Sequence, residues 1–339
     1  MLRTTLGHLV SLNLARSRRR PYIGSMTTGV RKHPNVRYWR AGADAFAKLD
    51  LGLPSYYVCP LCLHGFTEEQ APALTREHVP PHALGGRRLV LTCPDCNNIA
   101  GHDVDSHAAE IDRVRDFFRR KPGNPYSVRY QAEGGIDVNA EAKWSADGAL
   151  SIAGLPDSNP PGATDRLNVE LTRRWREGEG WPTATLSVRF RNSVSLRRAS
   201  VSWLRAAYLA AFAVLGYRYA FRTELDLVRK QIRQPDTPLI NAFYQKVPAD
   251  TADGWAIVLL SAPRWARGVA AQMGEHLVLL PYLDDAGTYY ERLVSESEDG
   301  MTVNFAGKAF PWPKRAEFRL DYAPPSDLAI YAKFVDGEL

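Results

Sequence analysis

Acidic residues are absent from the first 43 positions of this 339-residue chain, which carry nine bases: Arg3, Arg16, Arg18, Arg19, Arg20, Arg31, Lys32, Arg37 and Arg40. The formal net charge of +6 therefore belongs to that opening segment, and the rest of the chain is slightly acidic. Net charge alone does not mark the body of the protein as a nucleic-acid surface. Cysteine is scarce as well. Four are present, all in two Cys-x-x-Cys pairs, which excludes a disulfide scaffold and fits a reducing compartment, with the cytoplasm as the expected location. The longest apolar run, Ala206 to Leu215 after Arg205, falls well short of the ~20 residues a bilayer span needs. Leu9 to Leu14 is too short and too interrupted for a secretory signal. The last third lacks a Walker loop, a dinucleotide fingerprint and a nucleophile elbow, so no second chemistry is expected there. Nor is there an internal repeat. The 45% hydrophobic and 24% charged shares are those of an ordinary globular protein long enough for two domains and a real core.

The basic opening fits three origins. Leu2, Leu6, Leu9 and Val10 at helical spacing match an organelle transit peptide. A translation start at Met26 would make the preceding residues an artefact. Arg16 to Arg20 would also suit an arm that touches phosphates. We favour the Met26 start, then the arm, and expect residues 1–50 to be a basic, flexible segment.

What the chain does contain is concentrated between Cys59 and His107. Cys59/Cys62 and Cys93/Cys96 each put two thiolates on a tight knuckle, and two such knuckles suit one tetrahedral zinc ion. Between them, Glu77 and His78 precede Pro80 and Pro81, where an extended segment gives way to a loop. Leu89-Val90-Leu91 leads into the second knuckle. Asn97 and Asn98 then open a predicted helix running through Ile99, His107 and Ile111.

This stretch resembles the HNH, or ββα-metal, nucleases, in the branch clamped by a four-cysteine zinc. In that family an acidic residue followed by histidine ends the first strand, a CxxC knuckle follows the second, and an asparagine or histidine opens the helix. The matching residues are Glu77-His78, Cys93 to Cys96, and Asn97. The resemblance implies hydrolysis of DNA phosphodiesters to a 5′-phosphate and a 3′-hydroxyl, with RNA left open as a substrate. It also implies a structural Zn²⁺ on the four cysteines and a catalytic Mg²⁺ or Mn²⁺ on Glu77 and Asn97. The chain departs from the pattern in carrying Glu for the commoner Asp. It also has Arg87 and Arg88 where the middle asparagine, which pins the histidine's loop, would stand.

The chemistry can be argued from the residues too. Phosphodiester hydrolysis needs a base to deprotonate water and a cation to stabilise charge on the phosphorane and the departing oxygen. His78 titrates near neutrality and suits the first task. A hard cation that keeps several waters needs few protein oxygens, which Glu77 and Asn97 would supply. Neighbours on a strand point to opposite faces, so a bend before Pro80 would have to bring Glu77 and His78 together. Simpler roles exist for each residue. The cysteines would also build an inert zinc ribbon, His64 and His82 are alternative ligands or merely solvated, and Asn97 is a good helix N-cap. His102, Asp105 and His107 could serve as an extra metal or phosphate ligand, but are expected instead on the surface of the first helical turns. The rival function is a non-catalytic zinc module that recognises nucleic acid or a protein partner.

Elsewhere the pattern predicts an α+β chain: the nuclease module over 51–121 and an α+β accessory domain over 122–339. A short helix is predicted from Asp44 to Leu53. The helix containing Ile111, Val114, Phe117 and Phe118 is stopped by Lys121-Pro122-Gly123, and Arg113, Arg115, Arg119 and Arg120 line it, facing either a DNA backbone or solvent. Strands are predicted at Ser127–Gln131, Ile136–Ala142, Ala149–Ile152, Leu167–Leu171 and Ala184–Phe190. A buried helix over Val194–Tyr219 forms the spine of the second domain, followed by an amphipathic helix over Glu224–Arg233. Further strands are predicted at Trp255–Leu260, His276–Pro281, Met301–Phe305 and Phe318–Tyr322. Trp265/Arg267 and Trp312/Lys314/Arg315 mix aromatics with cations, which suits base stacking or the edge of a core.

Overall fold

Between Tyr57 and Thr92 the chain forms two short antiparallel ribbons, because brief apolar runs alternate with turn residues and leave little room for longer elements. The computed structural model describes residues 33–49, 54–133, 135–179, 183–188, 193–247, 254–282, 286–298 and 304–318, without the side chains of 99–103. The basic residues before His33, the Met26 start, the strand at Phe318–Tyr322 apart from Phe318 and most of Met301–Phe305 lie outside this description.

In chain order the elements are α1 (Asn35–Ala47), β1 (Tyr57–Val58), β2 (Gly65–Phe66), β3 (Thr75–Val79), β4 (Arg87–Thr92), α2 (Pro94–Asp103) and α3 (Asp105–Phe118). Next come β5 (Tyr126–Ala132), β6 (Ile136–Trp144), β7 (Leu150–Gly154), α4 (Ala163–Arg176) and β8 (Ala184–Val188). The chain continues through α5 (Leu196–Leu215), α6 (Tyr217–Ala220), α7 (Asp226–Arg233), β9 (Tyr244–Lys246), β10 (Trp255–Ala262), β11 (Gly268–Met273) and β12 (His276–Pro281), and closes with α8 (Ala286–Glu298) and β13 (Ala306–Pro311). The α+β class expected from the pattern is what the chain adopts.

Two compact units divide the chain: one is Glu110–Val194, the other joins Val30–Ala109 to Ser195–Leu339. In the first, strands in the order β7-β6-β5-β8 form an antiparallel sheet. One face buries Phe117, Tyr126, Val128, Ala140, Ala142 and Trp144; the other buries Tyr130 and Val138 under Ala163 and Leu167 of α4. The strand predicted at Leu167–Leu171 is therefore helical. Ala163, Leu167 and Leu171 recur every four residues on the sheet side while Val169 is 68% exposed, and Glu170 pairs with Arg173 and Arg174 at helical spacing.

The second unit is built on α5. Ser195 caps it by accepting a hydrogen bond from the Arg198 backbone N–H. From Val201 to Leu215 every residue is buried, and the helix ends at Gly216 with φ +74°. A five-stranded antiparallel sheet, β13-β10-β11-β12-β9, belongs to this unit and packs on α5 through β11 and β12. The same helix also packs on β3 and β4. The spine expected for an accessory domain thus serves the zinc-knuckle segment as well. Helix α1 starts nine residues before the predicted one, buries Trp39, Ala43 and Phe46, and lies inside the segment expected to be flexible. Its Gly42 allows close approach, since a Cβ there would lie 2.3 Å from the Tyr57 ring. No helix among the described residues is long and apolar enough to cross a membrane.

Candidate metal centre and active site

Each knuckle is closed by its own backbone. Leu63 N–H donates to Cys59 O and Cys59 N–H to His64 O, both at 2.9 Å, with Leu63 in the left-handed region at φ +60°. The second knuckle leads from β4 into the first turn of α2, where Asn97 N–H donates to Cys93 O at 3.0 Å. The two are brought together by tyrosines. Tyr57 Oη donates to Leu91 O at 2.6 Å and accepts from Leu91 N–H at 2.9 Å. Tyr217 Oη does the same with Val58, at 3.0 and 2.9 Å, and Tyr208 Oη donates to Pro60 O at 2.7 Å. Tyr208 comes from α5 and Tyr217 from α6, so the apolar core of the unit fixes the knuckle backbone.

The four sulfurs lie within 4.8 Å of one another, and Cys62 Sγ and Cys93 Sγ are 3.7 Å apart. A tetrahedral ion with Zn–S bonds of about 2.3 Å needs sulfurs about 3.8 Å apart. All four are free thiols, so the donor set fits a metal such as zinc. Backbone N–H groups already point at the sulfurs, Cys93 N toward Cys59 Sγ and Cys96 N toward Cys93 Sγ, both at 3.5 Å. Hydrogen bonding to Cys59 lowers the Cys62 thiol to about 2, while Cys59 itself is pushed up through its bonds to Cys62, Cys93 and Cys96. Among the described residues this is the one group of three or more Cys, His, Asp or Glu side chains placed to hold an ion.

Residues 59–110 match the family model of HNH endonuclease. No curated protein and no solved structure matches the chain. The match covers the two knuckles, the β3–β4 ribbon and the start of α3, so this segment is similar to HNH nucleases, and its cysteine cluster is consistent with the zinc-binding branch.

Within the HNH segment, β3 runs straight through Glu77 and His78. Arg76 and His78 are half-exposed while Glu77 and Val79 are buried, so the pleat alternates from Arg76 to Val79. The register shift lies opposite, where β4 carries one extra residue: Glu77 faces Val90 and His78 faces Arg88. No bend brings the two side chains to one face. His78 stands on the open face with its ring 5.1 Å from that of His82, edge to face. Burial, and then the positive charge of Arg88, hold its pKa below the ordinary imidazole value of 6.5, so the ring is neutral at pH 7.

Glu77 is placed differently from the sequence expectation. It is 5% exposed; Oε1 accepts from the Thr92 hydroxyl at 2.8 Å, and Oε2 lies 2.5 Å from Nη2 of Arg205. The second Arg205 nitrogen, Nη1, lies 3.5 Å from Asp105 Oδ2, and Asp105 Oδ1 accepts from the Ser202 hydroxyl at 2.7 Å. The Nη2 contact is close, but its N–H is directed off the oxygen and Nε meets no acceptor, so charge more than hydrogen-bond geometry binds Arg205. Burial opposes the Arg205 charge, yet Glu77 and Asp105 outweigh it and raise its pKa, while burial raises that of Asp105. Both oxygens of Glu77 are thus occupied, and the expected cation pair of Glu77 with Asn97 offers no open carboxylate.

Asn97 is half-buried inside the first turn of α2 rather than at its N-cap, because the helix begins three residues earlier at Pro94. Asp105 and His107, expected on the surface, are engaged: Asp105 with Ser202 and Arg205, and His107 Nδ1 as acceptor of the Ser195 backbone N–H at 3.2 Å. The side chain of His102 lies outside the described residues. His64 and His82 are exposed. On α3, Arg113 pairs with Glu110 and Arg115 with Asp112, so part of that helix's positive charge is spent locally. Trp312 is half-buried against Trp255 and donates from Nε1 to Val79 O at 3.3 Å. It thereby helps to hold the loop after His78, the task left open by the missing asparagine. That loop is also closed by Leu84 N–H to Pro81 O at 2.9 Å and Gly85 N–H to His82 O at 3.0 Å.

Proposed function

We propose that the chain is an endonuclease that hydrolyses DNA phosphodiester bonds, with His78 as general base and Zn²⁺ on Cys59, Cys62, Cys93 and Cys96 as a structural clamp. The observation that carries this reading is a histidine kept neutral on the open face of β3 inside a segment that matches the HNH family. A neutral imidazole takes a proton from water; the resulting hydroxide attacks phosphorus, and the P–O3′ bond breaks to leave a 5′-phosphate and a 3′-hydroxyl. Arg88, across the ribbon from His78, supplies positive charge where a phosphate would dock.

The zinc ion orders the segment and takes no part in the step. A catalytic Mg²⁺ or Mn²⁺ belongs to the proposal as the ion that would offset charge on the departing oxygen. Its expected ligand Glu77 does not fit as placed, with both oxygens engaged by Thr92 and Arg205. Asn97 stays available as an oxygen donor on α2, and no step is routed through an ion held by Glu77.

The test is plasmid nicking by purified protein in Mg²⁺ or Mn²⁺, with EDTA as the control and His78→Ala alongside. Nicking that stops with EDTA and is lost in His78→Ala supports the reading. A zinc-loaded protein that binds DNA without nicking it would instead be a recognition module.

A further inference from the structure

A fully buried arginine facing two carboxylates from another part of the chain is costly to desolvate, and removing one partner leaves the others as uncompensated buried charge. Arg205 is 2% exposed on α5, more than 120 positions after Glu77 in the sequence, and it enters the HNH segment between Glu77 of β3 and Asp105 at the start of α3. Among the described residues Arg205 is the cation that pairs with Glu77. It is also the residue directly before His78 on a strand whose side chains alternate, so the face on which Glu77 is held decides the face His78 takes.

We propose that Arg205 is a positioning residue for His78. It anchors the Glu77 carboxylate inward, with Thr92 on the other oxygen, so that Glu77 acts as the root of the catalytic strand and not as a cation ligand. The Glu77–Arg205–Asp105 cluster also ties β3 to the start of α3, with Ser202 orienting the Asp105 end. The guanidinium sits where a carboxylate pair would otherwise attract a divalent ion, and it supplies that positive charge permanently. The positioning role rests on the endonuclease reading only for what His78 does; the coupling itself does not.

The experiment compares Arg205→Met, Glu77→Gln and the double variant with the wild type, all zinc-loaded. It reads melting temperature, the His78 imidazole signals by NMR, Mn²⁺ binding by titration, and nicking. Arg205→Met leaves Glu77 and Asp105 without their shared cation and should lower the melting temperature by roughly 10 °C. It should also shift the His78 signals and reduce nicking by about 100-fold, as a misplaced catalytic group does. The double variant removes both charges of the Glu77–Arg205 pair, keeps the Thr92 hydrogen bond and leaves Asp105 on Ser202 alone, so it should regain the His78 signals and the nicking, and only part of the melting temperature. Mn²⁺ affinity should be unchanged by Glu77→Gln.

A double variant that melts like the wild type but does not nick, or a Glu77→Gln protein that loses Mn²⁺, would make Glu77 a cation ligand and overturn the proposal. His78 signals unmoved in Arg205→Met would overturn it as well. If the wild type itself does not nick, the endonuclease reading fails, while the melting and NMR arms still decide whether Arg205 positions His78.

Discussion

At the scale of single residues, the pKa of His78 sets a pH dependence. Burial and Arg88 hold it below 6.5, and a general base works only in its neutral form. Nicking should therefore be at its plateau at pH 7 and fall as the pH drops through a value below 6.5, as a pH–rate profile of kcat/KM would read. The same shift has a consequence for stability, because the folded state binds the proton less well than the unfolded chain. The contribution is complete above the ordinary imidazole value and is lost as pH falls through the folded one. His78→Ala should keep zinc and fold while losing roughly 10²- to 10⁴-fold in rate. Asn97 differs in kind. If its amide oxygen serves a divalent ion, the loss in Asn97→Ala should be partly recovered by high Mn²⁺, and the loss in His78→Ala should not; a metal titration of the two variants separates them.

At the scale of elements, the β3–β4 connection and the knuckles carry the strongest constraints. Gly86 cannot bear a side chain, since a Cβ there would lie 1.4 Å from Pro80 O, and its neighbour Gly85 takes φ +84° to end the turn at His82–Leu84. Gly86→Ala should therefore displace the loop that follows His78, cost about 1–3 kcal/mol in a denaturant titration, and reduce nicking out of proportion to that loss. Cys93→Ser removes a ligand that also accepts from Cys96 N–H. Structural zinc sites are worth on the order of 10 kcal/mol in small domains, so the variant should release metal and unfold the segment, as elemental analysis and circular dichroism would show. Unchanged melting would refute the four-cysteine clamp.

For the whole molecule, the HNH segment shares its core with residues far along the chain. Tyr208 and Tyr217 hold the first knuckle, Arg205 and Ser202 hold Glu77 and Asp105, and Trp312 holds the carbonyl after His78. A fragment of residues 54–109 lacks all five. It should fail to fold even with zinc, giving a poorly dispersed NMR spectrum, and co-expression with residues 195–339 is the arrangement that should restore it. The basic opening residues are a separate matter. If Arg16 to Arg20 contact phosphates, removing residues 1–25 should flatten the salt dependence of DNA binding by roughly one unit of slope per lost contact.

The sequence by itself determined what depends on near neighbours. Ligand spacing within a knuckle is local, so the four-cysteine cluster, the Glu77-His78 pair and the likeness to a nuclease were all legible there. The same holds for α5, whose all-apolar stretch announces burial, for β5, β6, β7 and β8, whose alternation is plain, and for β10 and β12, which are short apolar runs bounded by turn residues. Where the local pattern served two periods it misled: Leu167, Val169 and Leu171 read as a strand until Ala163 and the sheet below made the helical face the buried one. Edge strand β13 buries only Phe310, and β11 is made largely of small residues, so neither had a strong pattern to read. The tertiary structure alone decided the state of Glu77. A carboxylate directly before a histidine in this pattern reads from sequence as a cation ligand, because nothing nearby opposes that assignment. Its partner Arg205 arrives from a distant helix, and only folding brings the two charges within 2.5 Å.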